Sequence, residues 1–272
     1  MNKGLTVIKD SSLYLPNEDE LREAIADLDG LIRPSTFGQI SIAPAGAGTF
    51  NIREAGADEP TPGYREVFGV IMASTATNIC WGNDFANREE GEQPMCRSFD
   101  GVTGIERDSG ECHSCADCPR NQFDPDTGRK ACANQRRLYI MRPGNEENPG
   151  DLVPVIMTLP PSALKAFNDY RIYCRLTERV PMWALVTKIT LQQKKSKNGK
   201  STYSCPVFTP EARLDQAQAK KIEAMVVSIM AAAQRSGMMT DEEAGVPMQA
   251  APAVAPDGFT VVSTPDDLPE GF

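Results

Sequence analysis

The chain has 272 residues, of which 40% are hydrophobic and 24% charged, enough apolar content for a core of one large or two small domains. No run of about 18 apolar residues occurs, which argues against a membrane-spanning helix, and residues 1–20 hold no apolar segment of leader length. The expectation is a cytosolic protein with no membrane partner, where clustered cysteines favour metal over disulfides. The net charge of −9 speaks against a nucleic-acid partner until its distribution is read. Beyond Arg235 there is no Lys or Arg, only Asp241, Glu242, Glu243, Asp257, Asp266, Asp267 and Glu270. Residues 165–200, in contrast, set nine cations against Asp169 and Glu178. The chain is polarised into a basic body segment and an acidic tail.

In chain order, 17–28 predicts a short amphipathic helix with acids in its first turn. Residues 39–44 predict a strand, and 46–63, rich in Gly, Ala and Pro, a loop. The run 64–81 predicts strand structure with a turn near 74–77. From 82 to 130 the chain is polar, Gly-rich and cysteine-bearing, too long to stay ordered without a cross-link. Strands are expected at 136–141 and 151–159, followed by a helix at 160–177 with Pro in its first turn. Residues 181–195 and 200–208 predict a hairpin around Asn198-Gly199. Residues 210–237 predict a helix opened by Pro210 and closed by Gly237, and 238 onward reads as disordered. The division is therefore an N-terminal extension (1–63), a β-rich core (64–208) carrying an insertion (82–135), a C-terminal helix (209–237) and an acidic tail (238–272). The fold class is α+β, mainly β. This order is compatible with an OB-fold-like barrel.

Five cysteines concentrate in the insertion: Cys96, Cys112, Cys115, Cys118 and Cys132. Two residues between ligands suit a knuckle around tetrahedral zinc with Zn–S bonds of about 2.3 Å. The expected ligands of a structural Zn²⁺ are Cys96, Cys115, Cys118 and Cys132, with Cys112 as the substitute and His113 beside it. An all-thiolate set is closed to water, and His113 is the only histidine, so an enzyme is not expected. Cys174 and Cys205 read as small buried hydrophobes, and so does Cys80, with less support.

Cations and rings are interleaved. Arg97, Arg120, Arg129, Lys130, Arg136 and Arg137 flank the cysteines. Lys188, Lys194, Lys195, Lys197 and Lys200 flank the hairpin. Trp81, Phe85, Phe123, Tyr139 and Tyr203 are rings on which bases would stack, whereas Trp183 and Phe208 are expected in the core.

The last residues, DDLPEGF, place Asp266, Asp267, Leu268, Pro269, Glu270 and Phe272 together. They resemble the C-terminal tip of bacterial and phage single-stranded DNA-binding proteins. That resemblance implies recruitment of replication or recombination proteins by the tip and competition with DNA for the protein's own basic groove. The runs PMCRSFDG, CADCPRNQF, GRKACANQRRLYI and LPPSALKAFNDY, with the closing hairpin, resemble a group of phage and prophage proteins associated with single-stranded DNA binding. This second resemblance implies an OB-fold with a zinc insertion and a single-stranded DNA partner; assembly as a homo-oligomer stays open. The alternative expectation is a zinc-ribbon transcription or host-takeover factor that binds RNA polymerase.

Overall fold

The computed structural model describes residues 6–8, 19, 23, 37–44, 47–82, 92–144, 151, 154–195 and 202–236. Of the helix expected at 17–28, Asp19 and Glu23 alone fall among these, and both are helical. The 198–199 turn and the tail lie outside the described residues.

The frame is one long strand with partners on both edges. Strand β5 (Glu66–Cys80) runs for 15 residues and reads EVFGVIMASTATNIC. Its β-branched residues favour a pleated surface, so the turn expected at 74–77 does not form. A register irregularity between Ile71 and Ala73 is its one interruption against the strand formed by residues 132–141. Strand β9 (Cys132–Met141) pairs antiparallel with residues 70–80 of β5. On the opposite edge, β11 (Leu185–Lys195) pairs with residues 66–70 and β6 (Cys96–Ser98) with residues 78–80. From β9 the sheet continues through β10 (Val155–Leu159), β2 (Gln39–Ile42), β3 (Phe50–Arg53) and β4 (Thr61–Tyr64). From β11 it continues through β12 (Thr202–Leu214) to β1 (Thr6–Ile8). Strands β7 (Thr103–Glu106) and β8 (Cys112–Ser114) extend β6 into a meander.

The two faces of this sheet carry separate apolar layers. Alternation along β9 sends Leu138 and Ile140 to one layer and Tyr139 and Met141 to the other. Helix α1 (Leu164–Tyr173) covers the first layer with Phe167 and Tyr170. Phe208 packs there too, 5.7 Å from the Tyr170 ring. The Tyr170 hydroxyl is 2.7 Å from Thr187 Oγ1, which satisfies two buried polar groups. Helix α2 (Gln216–Ser236) covers the second layer with Ile222 and Met225, and Trp183 packs against it. Cys174 and Cys205 are buried, as expected of small apolar side chains.

Two further expectations are corrected. The stretch 46–63 is not a loop: it contains β3 and β4. Strand β4 tolerates Pro62 and Gly63 because it lies at the end of the strand order, where a missing N–H breaks no ladder. The helix expected from Pro210 begins at Gln216, since 209–214 continue β12. Pro206 and Pro210 fit in that strand because β1 pairs only with residues 212–214, leaving the prolines an open edge. The true start is a capping box. Gln218 N–H donates to Asp215 Oδ1 at 2.9 Å, and Asp215 N–H donates to Gln218 Oε1 at 3.3 Å.

The fold is mainly β, a mixed sheet with helices, as expected of its class; no ladder closes the sheet into a barrel among the described residues. The β2–β3 turn does reach across to the far side, where Gly48 N–H donates to Ser204 Oγ on β12 at 3.3 Å. Parallel pairs β1–β12 and β2–β10 further enlarge the sheet. No described helix is long and apolar enough to cross a membrane.

Candidate metal centre and nucleic-acid interface

The meander β6–β7–β8 sits at the Cys80 end of β5, and strand register decides which side chains meet there. Cys80 pairs with Cys96 across β5–β6 and with Cys132 across β5–β9. Directly opposed residues point to one face. One step back on that face, Asn78 pairs with Ser98 and with Asn134. Above it folds the 112–122 segment, delivering Cys115 and Cys118. Cys115 N–H donates to Val102 O at 2.7 Å, and Asn121 N–H to Cys118 O at 2.9 Å, closing the knuckle. The four cysteines expected as ligands, Cys96, Cys115, Cys118 and Cys132, therefore line one pocket together with Cys80 and His113.

An amide network fixes the knuckle to the sheet. Asn134 Nδ2 donates to Asn78 Oδ1 at 2.7 Å and to Asn121 Oδ1 at 2.8 Å. Asn121 Nδ2 donates to Cys115 O at 2.7 Å, and Asn78 Nδ2 to Gly101 O at 3.1 Å. Lys130 Nζ completes it by donating to Asn134 Oδ1 at 3.0 Å. Asp100 organises the neighbouring turn, accepting from the backbone N–H of Val102 and Thr103 at 2.7 and 2.8 Å.

His113 enters the pocket because Gly104 stands opposite it in the β7–β8 ladder. A Cβ on Gly104 would lie 2.7 Å from His113 Nε2 and 3.2 Å from Cys96 Sγ. The bare glycine lets the ring approach Cys96 Sγ at 3.7 Å. Glu106, paired with Cys96 across β6–β7, lies 4.0 Å from His113 Nδ1 and 2.7 Å from Arg120 Nη1. The ligand atoms of Cys96, Glu106 and His113 all lie within 4.8 Å of one another, and this group could hold a metal ion. Cys112 alternates with His113 on β8, is exposed, and does not line the pocket. Its role as substitute ligand is not supported by this placement.

Burial pushes the Cys96 and Cys132 thiols up to about 12; the Glu106 charge adds to it at Cys96, and Cys80 and the other thiols at Cys132. Burial raises Cys80 as well, with Arg120 pulling the other way and Cys118 and Glu106 adding. The protein alone thus holds these thiols neutral. A cation bound among them would favour the deprotonated thiolates.

The expected nucleic-acid residues divide into three groups. Phe123 is 70% exposed on the knuckle's outer side, with Lys130 Nζ 4.8 Å from its ring centre. Arg129 and Arg120 are exposed beside it, Arg120 engaged with Glu106. Lys194 and Lys195 are exposed on β11, with half-buried Tyr203 opposite Lys194. Lys188 is engaged with Glu66 at 2.9 Å. Half-buried Arg136 lies on the α1 face, where burial and then the neighbouring Arg171 charge push its guanidinium down. Trp81 is half-buried. In contrast, Arg97, Arg137 and Tyr139 are buried at 5%, 2% and 2% exposure, so their placement as surface contacts is corrected. Tyr139 alternates into the α2 layer with Met141, and Arg97 lines the cysteine pocket. Phe85, Lys197, Lys200 and the tip residues 266–272 lie outside the described residues.

The knuckle stands at the Cys80 end of β5, and Lys194 and Lys195 lie on β11 beyond its Glu66 end. Sequence reasoning missed Cys80, Glu106, Gly104 and the three asparagines as site residues, because strand register alone brings them together. Comparison with known proteins returns no match: no family model, no curated protein and no solved structure is similar to this chain beyond chance.

Proposed function

We propose that the protein is a non-enzymatic single-stranded DNA-binding protein, serving replication or recombination of a phage or mobile element, whose basic loop is held in shape by structural zinc. The observation that carries this reading is Phe123. Phe123 is 70% exposed on a loop tied to the sheet through Asn121 and Lys130, with Lys130 against its ring face and Arg129 nearby in the chain. A ring for a base and cations for the adjoining phosphates are what a sequence-tolerant single-strand binder needs. Exposed Lys194 and Lys195 at the other end of β5 would extend the phosphate track. Thiols from the knuckle and the sheet suit zinc better than harder cations, and a closed thiolate site has a structural role. The acidic tip would recruit replication or recombination proteins through Phe272 and its neighbouring carboxylates.

The test is an anisotropy titration of labelled single-stranded DNA, duplex DNA and RNA at low and moderate salt. The expected result is preference for single-stranded DNA with affinity falling steeply as salt rises. Equal affinity for duplex, or no binding at low salt, would sink the reading.

A further inference from the structure

We infer that Cys80 is a direct ligand of the metal, an inference that rests on the zinc reading above and sharpens its ligand set. Cys96 and Cys132 are not neighbours in the sheet. They flank β5 on its two edges, both in register with Cys80. Strands lie about 4.8 Å apart, so their Cα atoms are separated by about 9.5 Å. Zinc with Zn–S bonds of about 2.3 Å holds its sulfurs only about 3.8 Å apart. Both side chains must therefore lean inward over the middle strand. An ion bound by both then sits above Cys80, whose side chain rises from that same face.

The bland alternative is a small hydrophobe filling the core. Cys80 is 2% exposed, which fits either reading, but its surroundings do not fit the bland one. It belongs to neither of the large apolar layers. It packs with Cys96 and Cys132, with Met95 at the margin, and its thiol makes a weak 3.9 Å contact with Trp81 O. Beyond the three thiols, the next rung of this face, Asn78 with Ser98 and Asn134, carries polar side chains rather than an apolar layer. With three thiols supplied by the sheet, the tetrahedron is closed from the knuckle, where Cys115 is the buried thiol and Cys118 the half-buried one.

The experiment uses the full chain loaded with cobalt(II) or with cadmium-113. Cys80→Ser is compared with wild type and with Cys205→Ser, a buried thiol outside the pocket. Cys80→Ser is expected to lower cobalt affinity at least tenfold and to remove about a quarter of the thiolate-to-cobalt band, one ligand of four. Cys205→Ser is expected to match wild type. Because the variant chain could fail to fold, the wild-type cadmium form gives a second reading: cadmium–proton correlations should reach the Cβ protons of Cys80, Cys96 and Cys132. Correlations to other cysteines without Cys80, or a Cys80→Ser chain with wild-type affinity and band, overturns the inference and leaves the zinc reading standing. A wild-type chain that takes up no metal on thiolates overturns both.

Discussion

At the scale of single residues, the metal centre is shaped as much by what is missing as by its donors. Gly104→Ala would drive a methyl into His113 and Cys96. The expected cost is about 1–3 kcal/mol, read by thermal denaturation, with weaker metal retention against a chelator. An unchanged midpoint and unchanged retention would show that the ring has no part in the centre. Asn134→Ala would strand the buried amide of Asn78 and loosen Asn121, again about 1–3 kcal/mol. Far from the centre, Arg142 holds Glu54 and Asp151. Its hydrogen bond to Glu54 outweighs burial and keeps the Glu54 carboxyl below its ordinary value of 4.5. That contribution is complete above pH 4.5 and fades as pH falls through the lower folded value. Arg142→Ala should return the Glu54 titration toward 4.5, followed by carboxyl carbon NMR. The knuckle cysteines were legible in the sequence because their spacing is local. Cys80, Glu106 and Gly104 were not, because each depends on which strand lies beside which.

Among the elements, the end of β12 and start of α2 is the most instructive. Pro210 is a good first-turn residue, and it drew the helix start six residues too early. The competing signal, Asp215 three residues before Gln218, is a capping box and was present in the sequence. Asp215→Ala should cost about 1 kcal/mol and reduce helical ellipticity, measured by circular dichroism with urea unfolding. No change in either would remove the box as the determinant of the helix start. The β11–β12 hairpin makes a separate prediction. Replacing Lys194 and Lys195 with Ala should lower the salt slope of single-strand binding by about 1.4, at about 0.7 per phosphate contact. An unchanged slope would remove the hairpin from the phosphate track.

For the whole molecule, strands, helices and the cysteine-bearing insertion were legible as types, since alternation and cysteine spacing are carried by neighbouring residues. Whether the sheet closes was not, because that depends on which distant segments meet; among the described residues no ladder closes it, and a single hydrogen bond joins Gly48 to Ser204. The separation of the two basic groups along β5 has the same origin. The binding mode to be tested is a track along the central strand, anchored at the knuckle. Single-strand affinity of Phe123→Ala against wild type at one fixed salt concentration tests that anchor most directly. A loss of about 1–3 kcal/mol in binding, with an unchanged melting temperature, is the predicted result; an affinity equal to wild type would contradict it.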